Sequence, residues 1–178
     1  MSTVTNRPQG NNLINDSLKR DDLHPEHYLT FLLRDEYFGI SISSVKEIIE
    51  YDNVTSIPLM PDFVKGVLNL RGEVVPVIDL SIRFNKPATE VQKRTCIIIM
   101  EIPYDDQIVT LGAVVDSVCE VMEISDKSIE SAPTFGAKIR AQFILGVAHI
   151  DEHFVILLRG DRVLSIDEMA SIIDKVLE

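Results

Sequence analysis

Residues 63–80 read Phe63-Val-Lys-Gly-Val-Leu-Asn-Leu-Arg-Gly-Glu-Val-Val-Pro-Val-Ile-Asp-Leu80, two apolar segments separated by a polar pair. Branched apolar side chains crowd both segments, and they suit the pleated, half-buried surface of a strand. Between the segments lie Arg71 and Gly72, and a glycine readily adopts the positive φ angle that a tight turn requires. The stretch therefore predicts a β-hairpin that presents Arg71 at its turn.

The same pattern returns eighty positions later as Phe143-Ile-Leu-Gly-Val-Ala-His-Ile-Asp-Glu-His-Phe-Val-Ile-Leu-Leu158. In this second copy Asp151 stands where the first copy has Arg71. The duplication keeps the apolar scaffold but not the charge, which indicates that Arg71 serves something beyond folding. The matching apolar and glycine positions are Phe63 and Phe143, Gly66 and Gly146, Val67 and Val147, and Val75 and Val155.

A second block upstream of each hairpin is also duplicated, at a constant offset of 73 positions. Two blocks repeated in the same order indicate an internal duplication, because chance composition rarely produces such an arrangement. We therefore expect an architecture with twofold character. The matching positions are Gly39 and Gly112, Val45 and Val118, Glu47 and Glu120, Ile48 and Val121, and Glu50 and Glu123.

Other segments predict short strands joined by turns. Period-two patterns predict a strand, turn and strand from residue 27 to residue 40, and the uninterrupted apolar run Thr95–Met100 predicts a strand buried on both faces. Ile42–Ile49 is compatible with either a short helical turn or the start of a strand. Single helical turns are predicted at 61–65 and 79–84, a partner strand at 108–115, and a capped amphipathic helix at 165–178.

Many short strands, few helices and a duplicated unit predict a mainly β fold of two compact antiparallel barrels. Each barrel is small, so we expect apolar side chains such as Ile98, Val114 and Val155 to hold the two together. Residues 1–26 are polar and contain few apolar side chains, which predicts a flexible tail before a domain spanning residues 27–178.

Composition narrows the classes of partner. The 178 residues carry a net charge of −11, which disfavours nucleic acid and anionic membrane surfaces as partners. Cys96 and Cys119 lie in unlike contexts without CxxC spacing, so we expect neither a disulfide framework nor a zinc site, and a reduced cytosol fits. No apolar run reaches the roughly 18 residues that a membrane-spanning helix needs.

Together these motifs resemble the CheW family, the coupling proteins of bacterial chemotaxis. The resemblance runs from about residue 27 to the end of the chain. It depends most on Phe63-x-x-Gly-Val-x-Asn-Leu-Arg-Gly72 with the trailing Val75-Pro-Val-Ile-Asp-Leu80, and it extends to Gly112-x-Val-Val-Asp-x-Val118. The chain departs from the family pattern near Leu158-Arg159-Gly-Asp161, where an acidic strand end is expected.

The resemblance implies two five-stranded SH3-like barrels, no catalytic activity and no cofactor. It implies an adaptor in the cytoplasm, recruited to receptor arrays at the inner face of the membrane. The implied partners are the histidine kinase CheA and the cytoplasmic tips of methyl-accepting chemoreceptors. In the family, the residues matching Arg71 and Glu47 are tied to receptor and kinase coupling.

Six residues form the predicted protein-binding site: Val45, Glu47, Ile48, Gly66, Val67 and Arg71. The three apolar members have an equally good explanation as core residues, because interfaces and interiors share composition. Gly66 is expected to serve backbone geometry first. A solvated turn arginine is the simpler interpretation of Arg71, but the motif match favours a binding role.

A ligand-binding module or an enzyme that uses the groove between the lobes is the alternative function. No residue lies in a recognisable nucleophile motif, and no glycine-rich phosphate loop opens a helix. Asp79 and Asp116 act as an acid and base pair only if folding brings them together. His149 and His153 are expected as diagonal neighbours on a hairpin, two ligands where a metal site needs at least three.

Overall fold

The computed structural model describes residues 26–104, 106–131 and 141–164. Two sheets account for most of this part of the chain, and most of their neighbouring strands are antiparallel. This confirms a mainly β fold in two lobes. The predicted helix at 165–178 and nearly all of the predicted tail lie outside the described residues. The strands of the first copy are β1 (Glu26–Leu33), β2 (Glu36–Ser41), β3 (Val45–Glu50), β4 (Val64–Leu70) and β5 (Glu73–Asp79).

The second copy repeats this order with one additional short strand. Two four-residue helices, Leu80–Arg83 and Gly160–Val163, follow the last strand of the two copies, and 3-10 turns occupy Ile42–Ser44, Asp126–Ser128 and Ala141–Phe143. The strands of the second copy are β6 (Cys96–Tyr104), β7 (Gln107–Val115), β8 (Ser117–Ile124), β9 (Ile129–Glu130), β10 (Ile144–Ile150) and β11 (His153–Leu158).

The two copies exchange their first hairpins. The six-stranded lobe has the order β8-β1-β2-β11-β10-β9, and the five-stranded lobe has the order β3-β6-β7-β5-β4. Each lobe therefore combines the first hairpin of one copy with the remaining strands of the other. Parallel pairing joins the exchanged pieces, β2 to β11 and β7 to β5, so neither copy forms a complete sheet by itself.

Both predicted hairpins are present, and their turns have the same geometry. Arg71 and Gly72 have φ angles of 52° and 89°, and Asp151 and Glu152 have φ angles of 46° and 69°. Two central residues with positive φ define a turn whose twist matches that of the flanking strands. Each hairpin also has a register shift at the glycine that the two copies share, between Val64 and Gly66 and between Ile144 and Gly146.

A single apolar cluster lies between the lobes and binds them together. It includes Phe31 and Phe38 from the six-stranded lobe and Ile78, Ile98 and Met100 from the five-stranded lobe, all almost fully buried. Burying one such side chain contributes about 1.5–3 kcal/mol, so this shared core dominates the association of the lobes. The prediction for Ile98 is confirmed.

The predictions for Val114 and Val155 as residues between the lobes were wrong. Val114 packs in a separate cluster inside the five-stranded lobe, and Val155 packs in one inside the six-stranded lobe. Because side chains alternate between the two faces of a strand, a strand buried on both faces sends neighbouring residues into different cores. Apolar character alone cannot distinguish those two faces.

Arg83 lies between the two copies. Its guanidinium carbon is 5.1 Å from the ring centroid of Phe63 and 5.0 Å from that of Phe143, the equivalent residue. The Arg83 Nε donates a hydrogen bond to the Val163 carbonyl oxygen at 2.9 Å. The Arg83 cation therefore lies between two equivalent aromatic rings, one from each copy, and helps to hold the two copies together.

Two local predictions are resolved by hydrogen bonding. Ile42–Ser44 forms a 3-10 turn and Val45 begins β3, so both interpretations of that segment apply to successive parts of it. The single helical turn predicted at 61–65 is shorter than expected, because Val64 already lies in β4. Its amide donates to the Pro61 carbonyl oxygen at 3.0 Å, which closes a single turn before the strand.

Candidate functional site

The β4–β5 turn and strand β3 meet at one end of the five-stranded lobe. β3 and β4 are the two edges of this sheet, so their approach requires the sheet to curve. Side chains from both edges pack on the same internal cluster, including Ile49 of β3 and Leu70 of β4. We call the site formed by Lys46, Glu47, Arg71 and Glu73 at this end of the lobe the closed mouth.

The predicted residues Glu47 and Arg71 form an ion pair across the closed mouth. The Arg71 guanidinium donates to both carboxylate oxygens of Glu47, with an Nη1 to Oε1 distance of 3.3 Å. The Arg71 side chain is 67% exposed and that of Glu47 is 26% exposed. The hydrogen bond from Arg71 lowers the pKa of Glu47 and correspondingly raises the pKa of Arg71. Both groups therefore remain charged and oriented at the surface near neutral pH.

A second ion pair lies beside the first. Lys46 Nζ is 3.9 Å from a carboxylate oxygen of Glu73. Asn69 also supports the turn, since its side-chain oxygen accepts a hydrogen bond at 2.9 Å from the Gly72 amide. Two ion pairs of opposite orientation thus bridge β3 and the hairpin turn.

Ile48 and Val45 differ in exposure although both lie on β3. Ile48 is 41% exposed and lies on the face of β3 opposite to Glu47, because Glu47 is paired with Ile99 and Ile48 with Ile98, which belong to different cores. Val45 is half-buried and packs against the core between the lobes. A bulge between Val45 and Glu47 changes the register against β6 at this point.

Gly66 and Val67 are held against the segment that follows β3. Val67 and Thr55 exchange two backbone hydrogen bonds of 2.8 Å each. A Cβ atom at Gly66 would overlap the Thr55 carbonyl oxygen, and the φ angle of Gly66 is +153°, a conformation that L side chains rarely adopt. Gly66 therefore permits the close approach of two backbones, as expected, and Val67 secures that approach.

Sequence and structure comparisons identify relatives of this arrangement. The sequence model of the protein family described as the CheW-like domain matches residues 27–168. The chain belongs to the CheW-like family. It is 36% identical over 151 residues to the chemotaxis protein CheW of Klebsiella aerogenes, covering 85% of this chain and 88% of that protein. It is 31% identical over 140 residues to the chemotaxis protein CheW of Rhizobium meliloti, covering 79% and 88%.

A solved structure supports the same assignment. The scaffolding protein TtCheW from Thermoanaerobacter tengcongensis has a TM-score of 0.68 and 36% sequence identity. The alignment covers 76% of this CheW-like chain and 85% of that one. The names of these relatives describe chemotaxis and scaffolding proteins. Within the part of the chain that the structure describes, no helix has the length and apolar character needed to cross a membrane.

The CheW-like fold brings together some predicted residues and separates others. Glu47 and Arg71 meet at the closed mouth, and Ile48 lies on the other face of β3. Gly66 and Val67 contact Thr55 farther along β4. The ion pair between Lys46 and Glu73 was missed by sequence reasoning. Each of these residues is close in sequence to a predicted one, but only the curvature of the sheet shows that they meet.

The carboxylates considered for acid and base chemistry have separate structural partners. Asp79 is fully buried, and its carboxylate accepts hydrogen bonds of 2.9 Å from the amides of Ser81 and Thr89 and from the Thr89 hydroxyl. Asp116 accepts a hydrogen bond of 2.8 Å from the Arg34 amide. In this CheW-like chain both carboxylates hold loops in place.

The two histidines of the second hairpin lie on neighbouring strands, as predicted, but the strand register turns their side chains to opposite faces. His149 lies opposite Phe154, and His153 lies opposite Ile150. The rings of His149 and Phe154 are stacked with centroids 4.8 Å apart, and the ring of His153 lies 4.6 Å from that of Tyr37. Among residues 26–104, 106–131 and 141–164, no group of three or more His, Cys, Asp or Glu side chains is placed to hold a metal ion.

Proposed function

We propose that this protein is a non-catalytic adaptor that couples transmembrane chemoreceptors to the histidine kinase CheA. Its relatives are named chemotaxis and scaffolding proteins, which supports this class of function. The adaptor would act in the cytoplasm, recruited to receptor arrays at the inner face of the membrane. Residues 27–178 would form the coupling domain, and residues 1–26 a tail that precedes it.

The observation that carries the proposal is a difference between equivalent positions in one chain. Glu47 pairs with Arg71 in the five-stranded lobe, whereas the equivalent Glu120 and Asp151 in the six-stranded lobe are both acidic. The second hairpin forms with the same turn geometry without such an ion pair. Folding therefore does not require the pair, and exposed ion pairs contribute little to stability in general. This leaves the charges of the closed mouth available for recognition.

The proposed contact surface consists of Glu47, Ile48 and Arg71. Protein interfaces favour apolar side chains and arginines, and here both occur along one edge strand, as exposed Ile48 and the ion pair of Glu47 with Arg71. Val45, Gly66 and Val67 would complete the site indirectly by holding β3 and β4 in position. By binding receptor and kinase together, the adaptor raises the effective concentration of one near the other. It changes kinase activity if it contacts the kinase's active and inactive states differently.

The test is receptor-dependent kinase activity in a reconstituted mixture of receptor, CheA and this protein. We expect Arg71→Glu to reduce the stimulated activity about tenfold, because it reverses a charge at the contact surface. Arg94→Glu introduces the same change in charge at another exposed arginine, and we expect it to leave activity unchanged.

Thermal unfolding of both variants separates binding from folding. An Arg71→Glu protein that unfolds like the original chain but does not couple supports the proposal. If it instead folds poorly and its folded fraction couples normally, Arg71 has a structural role and the proposed contact surface is wrong.

A further inference from the structure

The six-stranded lobe has a site equivalent to the closed mouth, with different chemistry. The offset of 73 positions relates β3 to β8, and the offset of 80 positions relates the two hairpins. Both ion pairs of the closed mouth are lost under these correspondences. The equivalent residues are Lys46 and Cys119, Glu47 and Glu120, Arg71 and Asp151, and Glu73 and His153.

A cavity of about 250 Å³ occupies this second site, which we call the open mouth. Its lining includes two exposed acidic side chains, Glu120 of β8 and Asp151 of the β10–β11 turn. Its inner wall is smaller than that of the closed mouth, because Thr30 stands where the five-stranded lobe has Ile99, judged from pairing with Gly39 and Gly112. The cavity therefore has room for a side chain and a negative rim to receive it.

The walls of the open mouth are fixed by contacts within the lobe. The Thr30 hydroxyl donates a hydrogen bond of 2.9 Å to the Glu120 carbonyl oxygen, which holds β8 against β1. Tyr37 and His153 lie in contact across one side of the cavity and provide an aromatic wall. Burial and the charge of Glu120 raise the pKa of the Cys119 thiol, so this residue stays neutral near pH 7.

We propose that the open mouth binds the guanidinium group of an arginine side chain presented by a partner protein. In the closed mouth the equivalent carboxylate, Glu47, already binds a guanidinium, that of Arg71. The six-stranded lobe keeps the carboxylate but places Asp151 where the arginine was, so an external arginine supplies the missing cation. A planar guanidinium also stacks on aromatic rings, which suits the wall formed by Tyr37 and His153.

The occupant of the equivalent site favours a protein as the source of the arginine. In the closed mouth, the cation that Glu47 binds is a side chain carried by a hairpin turn, that of Arg71. An arginine carried on the surface of a partner protein presents the same group to the exposed carboxylates of Glu120 and Asp151. The inference extends the proposed adaptor function by giving the six-stranded lobe a docking site of its own.

Binding of a small guanidinium probe tests the site without any partner protein. Titration of the 15N-labelled chain with n-butylguanidinium, followed by NMR, should shift the amides around Glu120 and Asp151 in a saturable way. N-butylurea has a similar shape but no charge, and we expect it to bind at least about tenfold more weakly. Equal binding of the two probes, or shifts spread evenly over both lobes, would overturn the proposal.

A pair of substitutions at the turn provides the matched control. Asp151→Arg should fill the open mouth from within and abolish the n-butylguanidinium shifts, as Arg71 fills the closed mouth. Glu152→Arg makes the same change in charge at the next residue, and we expect it to weaken binding less than about threefold. If both substitutions abolish binding equally, only the net charge matters and the site is wrong.

Failure of this inference is distinguishable from failure of the proposed adaptor function. Normal receptor-dependent kinase activity without n-butylguanidinium binding would refute the docking site and leave the adaptor function in place. The protein could instead bind the probe saturably, lose that binding with Asp151→Arg, and fail to couple receptor to kinase. That result would support the docking site and refute the adaptor function.

Discussion

The closed and open mouths are built from equivalent strands and equivalent turns, but the charges of their side chains differ. In the closed mouth, two ion pairs join β3 to the hairpin turn. In the open mouth, the equivalent residues include two acidic side chains around a cavity of about 250 Å³. The backbone arrangement of this fold therefore does not depend on the charges at its rim. Those charges differ between the lobes while the two hairpin turns keep the same geometry.

Substitutions that disturb the backbone geometry shared by the two lobes should cause the largest loss in the free energy of unfolding. Gly66→Ala places a Cβ against the Thr55 carbonyl oxygen in an unfavourable φ region, so we expect it to reduce the free energy of unfolding by about 3–4 kcal/mol. Gly72 also has a positive φ but has open space around it, and Gly72→Ala should cost only about 1 kcal/mol. Urea unfolding measures both.

The equivalent glycine of the other lobe extends this prediction. A Cβ at Gly146 would meet the side chain of Ile129 and lie 2.8 Å from the Glu130 carbonyl oxygen. Because a side chain moves more readily than a backbone, we expect Gly146→Ala to cost less than Gly66→Ala. If neither Gly66→Ala nor Gly146→Ala changes the free energy of unfolding, the close approach of the two backbones does not contribute to stability.

The ends of the two hairpins should show a smaller and asymmetric effect. Asp79 and Arg159 are equivalent, and the amides of both donate to the carbonyl oxygen of the equivalent phenylalanine, Phe63 or Phe143. Asp79 makes side-chain hydrogen bonds to the following helix and to Thr89, whereas the Arg159 side chain makes none that caps the helix Gly160–Val163. We expect Asp79→Ala to cost about 2 kcal/mol and Arg159→Ala less than about 0.5 kcal/mol, measured by urea unfolding.

This asymmetry is also where the chain departs from the family pattern at residues 158–161. Similar costs for the two alanine substitutions would mean that the acidic position is not what holds the loop after β5. Thr89→Val offers an independent check, because it removes one hydroxyl donor to Asp79 while keeping the shape of the side chain.

The charges of the closed mouth should give the smallest effect on stability. Arg71→Asp gives the closed mouth the acidic pair of the open one, and we expect Tm at pH 7 to fall by no more than about 3 °C. Arg71 lowers the pKa of Glu47 in the folded state, so the ion pair stabilises above the ordinary glutamate pKa of 4.5. That contribution is lost as the pH falls through the lowered pKa.

The pH dependence provides the check on this third prediction. The difference in Tm between the original chain and Arg71→Asp should be greatest near neutral pH and shrink in acid, as scanning calorimetry would measure. A difference that stays constant down to pH 3 would assign the effect to the turn conformation at residue 71, not to the ion pair.

Local sequence predicted the hairpins, their turns and the position of Arg71. Strand periodicity and turn chemistry depend on residues close together in the chain, so residues 63–80 and 143–158 specify their own conformations. The repeat offsets alone likewise identify Glu120 and Asp151 as the equivalents of Glu47 and Arg71. The motifs also indicated the CheW family.

Tertiary structure decided which strands pair and which side chains meet. The exchange of first hairpins, the separate cores of Val114 and Val155, and the ion pairs of the closed mouth all join residues from distant parts of the chain. Such contacts depend on sheet curvature and on which face of a strand points inward, and alternation along one strand specifies neither. The cavity of the open mouth also depends on tertiary structure. It arises where residues from different strands meet, and it differs from the closed mouth in the size and charge of those side chains.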